Sequence, residues 1–398
     1  MNIGIIGKPN TGKSTFFNAI TLASVQMGNY PFTTIEPNVG IAYVKKKCVC
    51  KELGVKDNPK NSICINGNRF IPFKIIDTAG LVPGSWEGKG LGNHFLDKIA
   101  RSDALIHVID ASGSTDLEGK IVGKGDHDPI NDVEFLENEI TYWLTGIIER
   151  DWDKTLKKIE NQKEDPAIAL YSKLSGLGFN KNDIYESISK LETKKKVREW
   201  KKEELINLSS YLLKLNKPIV IAANKIDKTN SIENYKRLTN SFSRVYPVSS
   251  MSELILRRAN EKGVIKYTQG DSDFTINDPK KLNDTELKFL NKIKSEIMTK
   301  IDGTGLQQIF NEIIFNVLKM IVVYPVANHE RLEDNDNRIL PDVHLIRYGS
   351  TVKDLAEMIH TDIAKSLIHA IDAKNNKRVK LDHVLQDNDV IQLVSANR

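Results

Sequence analysis

Residues 7–14 carry the residue types that bind phosphate. They read GKPNTGKS and fit the pattern G-x-x-x-x-G-K-[ST], between a short apolar run and a helical pattern. In such a loop, backbone N–H groups and the N-terminus of the following helix surround phosphate groups. We expect Lys13 to contact the β- and γ-phosphates and Ser14 to ligate Mg²⁺. The loop therefore predicts a nucleoside-triphosphate site, and a structural glycine turn is the weaker alternative.

The segment IIDTAG places an acidic residue and a glycine where such a site needs them. Asp77 ends an apolar run and can hold Mg²⁺ through water, while the Gly80 N–H can contact the γ-phosphate and sense its loss. The pattern D-x-x-G alone also occurs in ordinary turns. Behind a phosphate-binding loop it indicates a switch segment.

A threonine between these two motifs is expected to close over Mg²⁺ and the γ-phosphate. The stretch NYPFTTIEPNVG offers Thr33 and Thr34, and we favour Thr34. A polar surface turn is the alternative interpretation of either residue taken alone.

The segment AANKID at residues 222–227 points to the base. The Asp227 carboxylate can accept hydrogen bonds from the N1–H and the exocyclic amine of guanine, whereas adenine lacks that pair of donors and would leave the carboxylate unsatisfied. We expect Asn224 to brace the phosphate loop and Lys225 to lie along the base. Ser249 and Ser250 are expected to present a backbone N–H to guanine O6. Together these residues predict GTP rather than ATP.

The elements that must position these residues alternate between strand and helix. Helical patterns at 14–22 and 92–99 lie between apolar runs, so we predict a parallel sheet with its ligand site at the carboxyl ends of the strands. The runs predicted as buried strands are residues 3–6, 73–76, 104–109, 218–222 and 245–248.

Two further parts are predicted around this sheet. Apolar residues recur at helical spacing between Asp110 and Pro218, with breaks near 165–166 and 176–178, so we expect an all-helical insertion. Beyond Tyr324-Pro325, strand patterns flank one helical pattern, TVKDLAEMIHTDIAK, which favours a small α+β module. The predicted fold is α/β, with domains at 1–110 and 217–322 (phosphate-loop domain), 111–216 (helical insertion) and 323–398 (C-terminal module).

Charge and composition limit the class of protein. The net charge of +5 divides into about −3 for 111–216, about −2 for 323–398 and about +10 for the rest. The basic part carries the phosphate loop, so a polyanionic partner such as RNA is one interpretation and balance of the nucleotide phosphates is the other. We find no run of the ~20 apolar residues that a membrane span needs. We expect a cytoplasmic monomer without membrane association.

The cysteines are few. Cys48-x-Cys50 with Cys64 hints at a zinc knuckle, but a structural zinc site needs four ligands and no fourth is evident in the sequence. Free thiols in a reducing compartment are the interpretation that we favour.

With these motifs described, the chain resembles the Obg-related GTPases, specifically the archaeal type of the YchF/Obg-like branch. The matching stretches are NYPFTTIEPN, DTAGLVPG and KGLGNHFLDKIARSDALIHVID, together with the position of the helical insertion. The C-terminal stretches RYGSTVKDLAEMIHTDIAKSLIHAID and DHVLQDNDVIQL resemble a TGS domain, which implies a β-grasp fold. The resemblance covers nearly the whole chain and is weakest within the insertion.

The resemblance also raises questions about substrate and mechanism. Known YchF members have an altered base motif and prefer ATP, but this chain keeps Asn224-Lys225-x-Asp227. Leu81 stands where many GTPases have a glutamine that orients the attacking water. In similar GTPases an asparagine at the position of Asn10 helps to hold K⁺ near the phosphates, which implies a catalytic role for this residue. A loop-stabilising asparagine is the competing interpretation.

We therefore expect a GTPase that hydrolyses GTP to GDP and phosphate and works as a switch with the ribosome or RNA. The alternatives are an RNA-binding module with GTP as a structural ligand, a protein-interaction scaffold, and ATP hydrolysis. The expected cofactors are Mg²⁺, held by Ser14, Thr34 and Asp77 (the last through water), and K⁺ at Asn10. The catalytic candidates are Lys13, Thr34, Gly80 and Asn10. The predicted nucleotide-binding residues are Gly7, Lys8, Pro9, Asn10, Thr11, Gly12, Lys13, Ser14, Thr15, Asp77, Gly80, Asn224, Lys225, Asp227, Ser249 and Ser250.

Overall fold

The computed structural model describes residues 1–21, 38–78, 80–87, 98–123, 125–191 and 195–396. Thr33 and Thr34 lie outside these residues, as does most of the helix predicted over 92–99. The described chain forms two compact units, each packed mainly within itself. The first contains residues 1–21, 38–40 and 74–309, and the second contains 41–73 and 310–396. The three domain boundaries that we drew from the sequence stay a prediction.

Parallel strands form the sheet of the first unit, in the order β4-β1-β5-β6-β7. β5 is buried along its whole length, as its continuous apolar run predicts for a strand covered on both faces. All of the predicted strands are confirmed, and their parallel arrangement brings their carboxyl ends to one edge. The strands are β1 (Asn2–Ile6), β4 (Asn68–Asp77, of which residues 74–77 pair with β1), β5 (Ala104–Asp110), β6 (Ile219–Asn224) and β7 (Val245–Pro247).

A helical insertion separates β5 from β6, as predicted, although its helices begin only at Pro129. Aspartate and asparagine side chains cap several of them: Asp128 accepts from the Ile130 N–H, and Asp165, at the predicted break, accepts from the Ala167 N–H. Residues 111–128, which we assigned to the all-helical part, contain no helix among those described. The helices are α2 (Pro129–Glu149), α3 (Trp152–Asn161), α4 (Pro166–Leu174), α5 (Lys181–Lys190) and α6 (Lys202–Asn216).

The first unit also contains further helices and a short pair of strands. Helix α1 (Lys13–Thr21) follows β1 directly and packs against α8 (Ser250–Glu261). The others are α7 (Ser231–Ser241), the short pair β8 (Ile265–Lys266) and β9 (Thr275–Ile276), α9 (Asp284–Lys292), α10 (Thr299–Ile301) and α11 (Leu306–Asn311, whose last residues belong to the second unit).

The second unit contains a five-stranded sheet in the order β11-β10-β14-β12-β13. β10 runs parallel to β14 and antiparallel to β11, and two helices pack on the sheet, so the α+β prediction is confirmed. Tyr324 and Pro325, expected at a boundary, lie inside β10. The elements are β2 (Val39–Lys47, from residue 41), β3 (Ile63–Ile65), β10 (Met320–Val326), β11 (His344–Arg347), α12 (Val352–Ile359), α13 (Thr361–Ser366), β12 (Leu367–Asp372), β13 (Lys377–Val379) and β14 (Asp389–Ser395).

The single helix predicted from TVKDLAEMIHTDIAK is two helices in the structure. Thr351 caps the first in a capping box with Asp354. His360 then adopts an extended backbone, and its Nδ1 accepts a hydrogen bond from the Asp362 N–H to start the second helix. The prediction of one helix was wrong. The His360 side chain caps a new helix without interrupting the helical spacing of the apolar residues, so the sequence pattern continues across the break.

Candidate functional site

The phosphate loop connects β1 to α1, and close contacts explain its glycines. Gly7 has φ +146°, and a Cβ atom there would lie 2.4 Å from the Val108 carbonyl oxygen. Gly12 has φ +97°, and a Cβ atom there would lie 2.4 Å from Asn224 Nδ2. Both positions therefore admit only glycine, because a side chain would meet both strain and a fixed neighbour.

Lys13 lies at the first turn of α1, directly before Ser14 and Thr15, and points back into the loop. Its Nζ donates to the Lys8 carbonyl oxygen at 2.7 Å. Burial lowers the pKa of Lys13 to about 8, although Asp77 acts in the opposite direction. The amine of Lys13 is therefore buried against the backbone of the loop. In this position it can exchange the Lys8 carbonyl oxygen for phosphate oxygens as its hydrogen-bond partner.

Lys8 turns its side chain away from the loop interior. Its Nζ donates to the Thr115 carbonyl oxygen at 2.6 Å and to Asp132 Oδ1 at 2.8 Å, and Asp132 also pairs with His127 Nε2 at 2.6 Å. Burial lowers the pKa of Lys8, while Asp132 counteracts this effect. Only the backbone of Lys8 therefore remains available to a nucleotide.

Asp77 and Gly80 reach the loop from the end of β4. The Leu81 N–H donates to the Gly7 carbonyl oxygen at 3.1 Å, and a Cβ atom on Gly80 would lie 2.9 Å from Pro9 Cγ. Burial raises the pKa of Asp77, although Lys13 and Lys98 act in the opposite direction. Within the described residues, the buried Asp77 Oδ1 has no hydrogen-bond partner. An unsatisfied carboxylate oxygen beside the phosphate loop fits a hydrated cation.

Asn224 ties the two halves of the candidate nucleotide site together. Its Nδ2 donates to the Thr11 carbonyl oxygen at 2.9 Å, while its Oδ1 accepts from both the N–H and the hydroxyl of Ser250 at 3.1 and 2.9 Å. The end of β6 is thereby fixed to the phosphate loop and to the start of α8. The Thr11 hydroxyl adds a bond of 3.2 Å to the Lys8 carbonyl oxygen.

Asp227 follows this contact at the predicted base position. Its Oδ1 accepts from the Ser249 hydroxyl at 2.9 Å, and its side chain is only partly buried. The Ser249 N–H already donates to the Thr304 carbonyl oxygen at 3.0 Å, and the Ser250 N–H donates to Asn224. A bond from either N–H to guanine O6 would have to replace one of these bonds, so this part of the prediction gains no support.

Polar residues that the sequence did not single out lie at the end of β5 and in the segment that follows it. Asp110 is fully buried and accepts from Lys225 Nζ at 2.8 Å and from the hydroxyls of Ser112 and Ser114 at 2.6 and 2.8 Å. Burial alone would raise the pKa of Asp110, but these hydrogen bonds lower it overall. The polar run DASGST directly after a buried strand was the signal that could have identified them.

The same segment contacts Asn10. The Asn10 side-chain nitrogen donates to the Gly119 carbonyl oxygen at 2.9 Å, and Lys225 Nζ donates to the Asn10 carbonyl oxygen at 2.9 Å. Asn10 has φ +64°, a left-handed conformation that asparagine tolerates. The structural role that we kept as the alternative for Asn10 is therefore present, and its amide oxygen is the atom left for a cation.

Leu81, at the position where many GTPases have a glutamine, belongs to the hydrophobic core. It is 2% exposed and joins a cluster with Ile6, Leu105 and Leu136.

We expect Leu81→Ala to lower the free energy of unfolding by about 2–5 kcal/mol, since it leaves a cavity. Urea denaturation measures this loss, with Ile121→Ala, 83% exposed, as the control. A loss equal to that of the control would contradict the assignment.

No helix within the described ranges is both long and apolar enough to cross a membrane.

Comparison with known proteins gives matches along the chain. Residues 2–139 match the family described as 50S ribosome-binding GTPase, 222–328 match the Obg-like GTPase YGR210-like, G4 motif-containing domain, and 330–395 match the TGS domain. The GTP-binding protein MJ1332 of Methanocaldococcus jannaschii is 46% identical over 99% of both chains. The ribosome-binding ATPase YchF of Bacillus subtilis is 27% identical over 98% of both. The crystal structure of a GTP binding protein from Pyrococcus horikoshii superposes with a TM-score of 0.78 at 38% identity, covering all of both chains.

Proposed function

The chain belongs to the YchF/Obg-like GTPases, and from that membership we propose that it hydrolyses GTP to GDP and phosphate as a switch. The observation that carries this proposal is the Asn224 bridge, which joins the phosphate loop to the segment that holds Asp227. This bridge would fix the distance between the proposed phosphate and base positions. Recognition of the base could then influence the position of the phosphates relative to the loop.

GTP is the proposed substrate because of the chemistry of Asp227. Its carboxylate is oriented by the Ser249 hydroxyl and is accessible to a ligand. A carboxylate complements the two donors of guanine and not the edge of adenine. ATP hydrolysis, which the name of the Bacillus subtilis relative states for that protein, is the alternative, and competition of GTP and ATP for the site distinguishes the two.

Mg²⁺ is the proposed cofactor, with Ser14 and Asp77 as the described residues that would hold it, the latter through water, and Thr34 as a further predicted ligand. Bound there, Mg²⁺ would neutralise charge that develops on the phosphate oxygens. Lys13 contributes a second positive charge from the protein itself. A Cβ atom on Gly80 would lie 2.9 Å from Pro9 Cγ, so Gly80 lies beside the phosphate loop, where its N–H would respond to the loss of the γ-phosphate.

K⁺ is proposed to accelerate hydrolysis through the Asn10 amide oxygen. We expect single-turnover GTP hydrolysis to be roughly tenfold or more faster in K⁺ than in Na⁺. Asn10→Gly, which suits a φ of +64°, should abolish the difference, while Asn10→Asp, which keeps an oxygen, should retain part of it. Equal rates of the unmodified protein in both salts would contradict a K⁺ site.

Nucleotide affinity is expected to fall as the pH rises above 8. Lys13 has a pKa of about 8 without nucleotide, whereas triphosphate favours its charged form, so binding takes up a proton above that pH. Between pH 7 and 9 the Kd for GTP should rise by about tenfold. Isothermal titration calorimetry at both values measures this. Lys13→Ala serves as the control for titration of guanine itself, and an equal pH dependence of both proteins would contradict the assignment.

The proposed partner is the ribosome or its RNA, and the proposed setting is a cytoplasmic monomer. This proposal rests on the printed names of relatives and of one matched family, which state ribosome binding for those proteins. It also rests on the positive net charge of residues 1–110 and 217–322, which include the phosphate loop. Co-sedimentation with ribosomes in GTP-bound and GDP-bound forms tests it. Equal co-sedimentation of both forms would argue against a ribosome-gated switch. Salt-insensitive binding would instead favour a protein-interaction scaffold.

A further inference from the structure

A cluster of four potential metal ligands lies in the second unit. One ligand atom each from Cys48, Cys50, Asp57 and Cys64 lies within 4.8 Å of the others. Cys48 and Cys50 are buried and Cys64 is partly buried. None of these residues takes part in the candidate nucleotide site.

The four side chains come from three segments of the chain: the turn after β2, the irregular segment that contains Asp57, and β3. Cys48 and Cys50 follow the last residue of β2, in a turn closed by the Leu53 N–H to the Val49 carbonyl oxygen at 2.9 Å. Cys64 lies in β3, opposite Arg69 of β4 in an antiparallel hairpin.

The turn of this hairpin fixes the cysteine pair at the end of β2. Its residues Asn66 and Gly67 both have positive φ, as a tight two-residue turn requires. The Cys48 N–H donates to the Gly67 carbonyl oxygen at 2.9 Å, which holds Cys48 beside the hairpin.

Two of the distances between ligand atoms lie close to the edges of a zinc tetrahedron, and all four atoms lie within 4.8 Å of one another. With Zn–S bonds of about 2.3 Å, two thiolates of a tetrahedral site lie about 3.8 Å apart, and a thiolate and a carboxylate oxygen about 3.6 Å apart. Cys50 Sγ and Cys64 Sγ are 3.8 Å apart, and Cys48 Sγ and Asp57 Oδ2 are 3.3 Å apart. The side chains therefore need little rearrangement to surround one ion.

From this arrangement we propose that Cys48, Cys50, Cys64 and Asp57 form a structural zinc site. The sequence had offered only three ligands, and the structure adds the fourth, Asp57, which no cysteine spacing indicates. Four protein ligands leave no open coordination position, so the site fastens the turn after β2 to the β3–β4 hairpin and does no chemistry on a substrate. Binding Zn²⁺ displaces the three thiol protons into solvent.

Arg69 provides the outer support that such a site requires. Its side chain is fully buried, and its Nη2 lies 3.0 Å from Asp57 Oδ2. It also donates to the Ser62 hydroxyl at 2.9 Å and to the Leu340 carbonyl oxygen at 3.0 Å. Three thiolates and a carboxylate around Zn²⁺ carry a net charge of −2, so a buried guanidinium beside them reduces the excess negative charge.

Metal analysis of the full-length protein, purified without chelator, tests the proposal. Inductively coupled plasma mass spectrometry should find about one zinc ion per chain in the unmodified protein. In the Cys64→Ser and Asp57→Ala variants the zinc content should fall to background. Asp57→Cys should restore about one zinc per chain, because it supplies a thiolate ligand although it removes the carboxylate partner of Arg69. Glu52→Gln, an exposed acidic residue that pairs with Lys374, is the control and should retain zinc.

A second measurement keeps the test independent of how the variants fold. The unmodified protein, stripped of metal and loaded with Co²⁺, should show the intense thiolate-to-cobalt absorption of a tetrahedral thiolate site. Absence of both zinc and this absorption would overturn the proposal. A Cys50–Cys64 disulfide in protein kept under reducing conditions would also overturn it, since those two sulfurs would then be unavailable to a metal.

Discussion

Asp227→Asn is expected to weaken GTP binding by about 10²- to 10⁴-fold. An asparagine turns amide hydrogens toward the N1–H and amine of guanine, so two hydrogen bonds to a charged acceptor, worth about 1.5–3 kcal/mol each, are lost. The same amide can donate to the O2 carbonyl that xanthine carries in place of the amine. Affinity for xanthosine triphosphate should therefore rise while that for GTP falls. Titration with fluorescent nucleotide analogues measures both affinities.

The substitution leaves the surrounding structure intact, because asparagine keeps an oxygen that can accept from the Ser249 hydroxyl, as Asp227 Oδ1 does. Asp284→Asn, the same change at an exposed position in the first turn of α9, is the matched control. If Asp227→Asn bound GTP as tightly as this control does, Asp227 would not contact the base. Stronger binding of ATP than of GTP by the unmodified protein would favour the ATPase alternative.

Lys13→Met is expected to reduce kcat for GTP hydrolysis by about 10²- to 10³-fold. Lys13 is the buried lysine whose amine faces the phosphate loop, and removal of one preorganised group that stabilises developing charge costs this much in well-studied enzymes. Methionine preserves the aliphatic packing of the side chain, so the loss reports on the charge. Single-turnover phosphate release measures the effect.

Lys120→Ala is the matched control for Lys13→Met. Lys120 follows Gly119, whose carbonyl oxygen accepts a hydrogen bond from Asn10 of the loop, but the Lys120 side chain is exposed and pairs with Glu118. Its removal should leave the rate unchanged. A rate for Lys13→Met within threefold of that control, an interval well under 1 kcal/mol in activation free energy, would exclude Lys13 from the reaction.

The phosphate loop and the positions of the sheet strands could be predicted from the sequence because their signals are local. A glycine in a tight loop, a lysine and a serine at the start of the following helix, and continuous apolar runs each depend on their immediate neighbours in the chain. The direction of Asn224 toward the loop also followed from its place at the end of a strand. The predicted roles of these residues in binding and hydrolysis are now specific enough to test.

The tertiary structure alone decided which side chains meet from distant parts of the chain. Lys8 sits in the phosphate-loop motif, yet its amine pairs with Asp132, and Asn10 binds the backbone of Gly119. Leu81 is a core residue, and Asp57 lies beside three cysteines. The physical reason is that spacing along the chain encodes helix and strand periodicity, whereas burial and ion pairing depend on which elements the completed fold brings into contact.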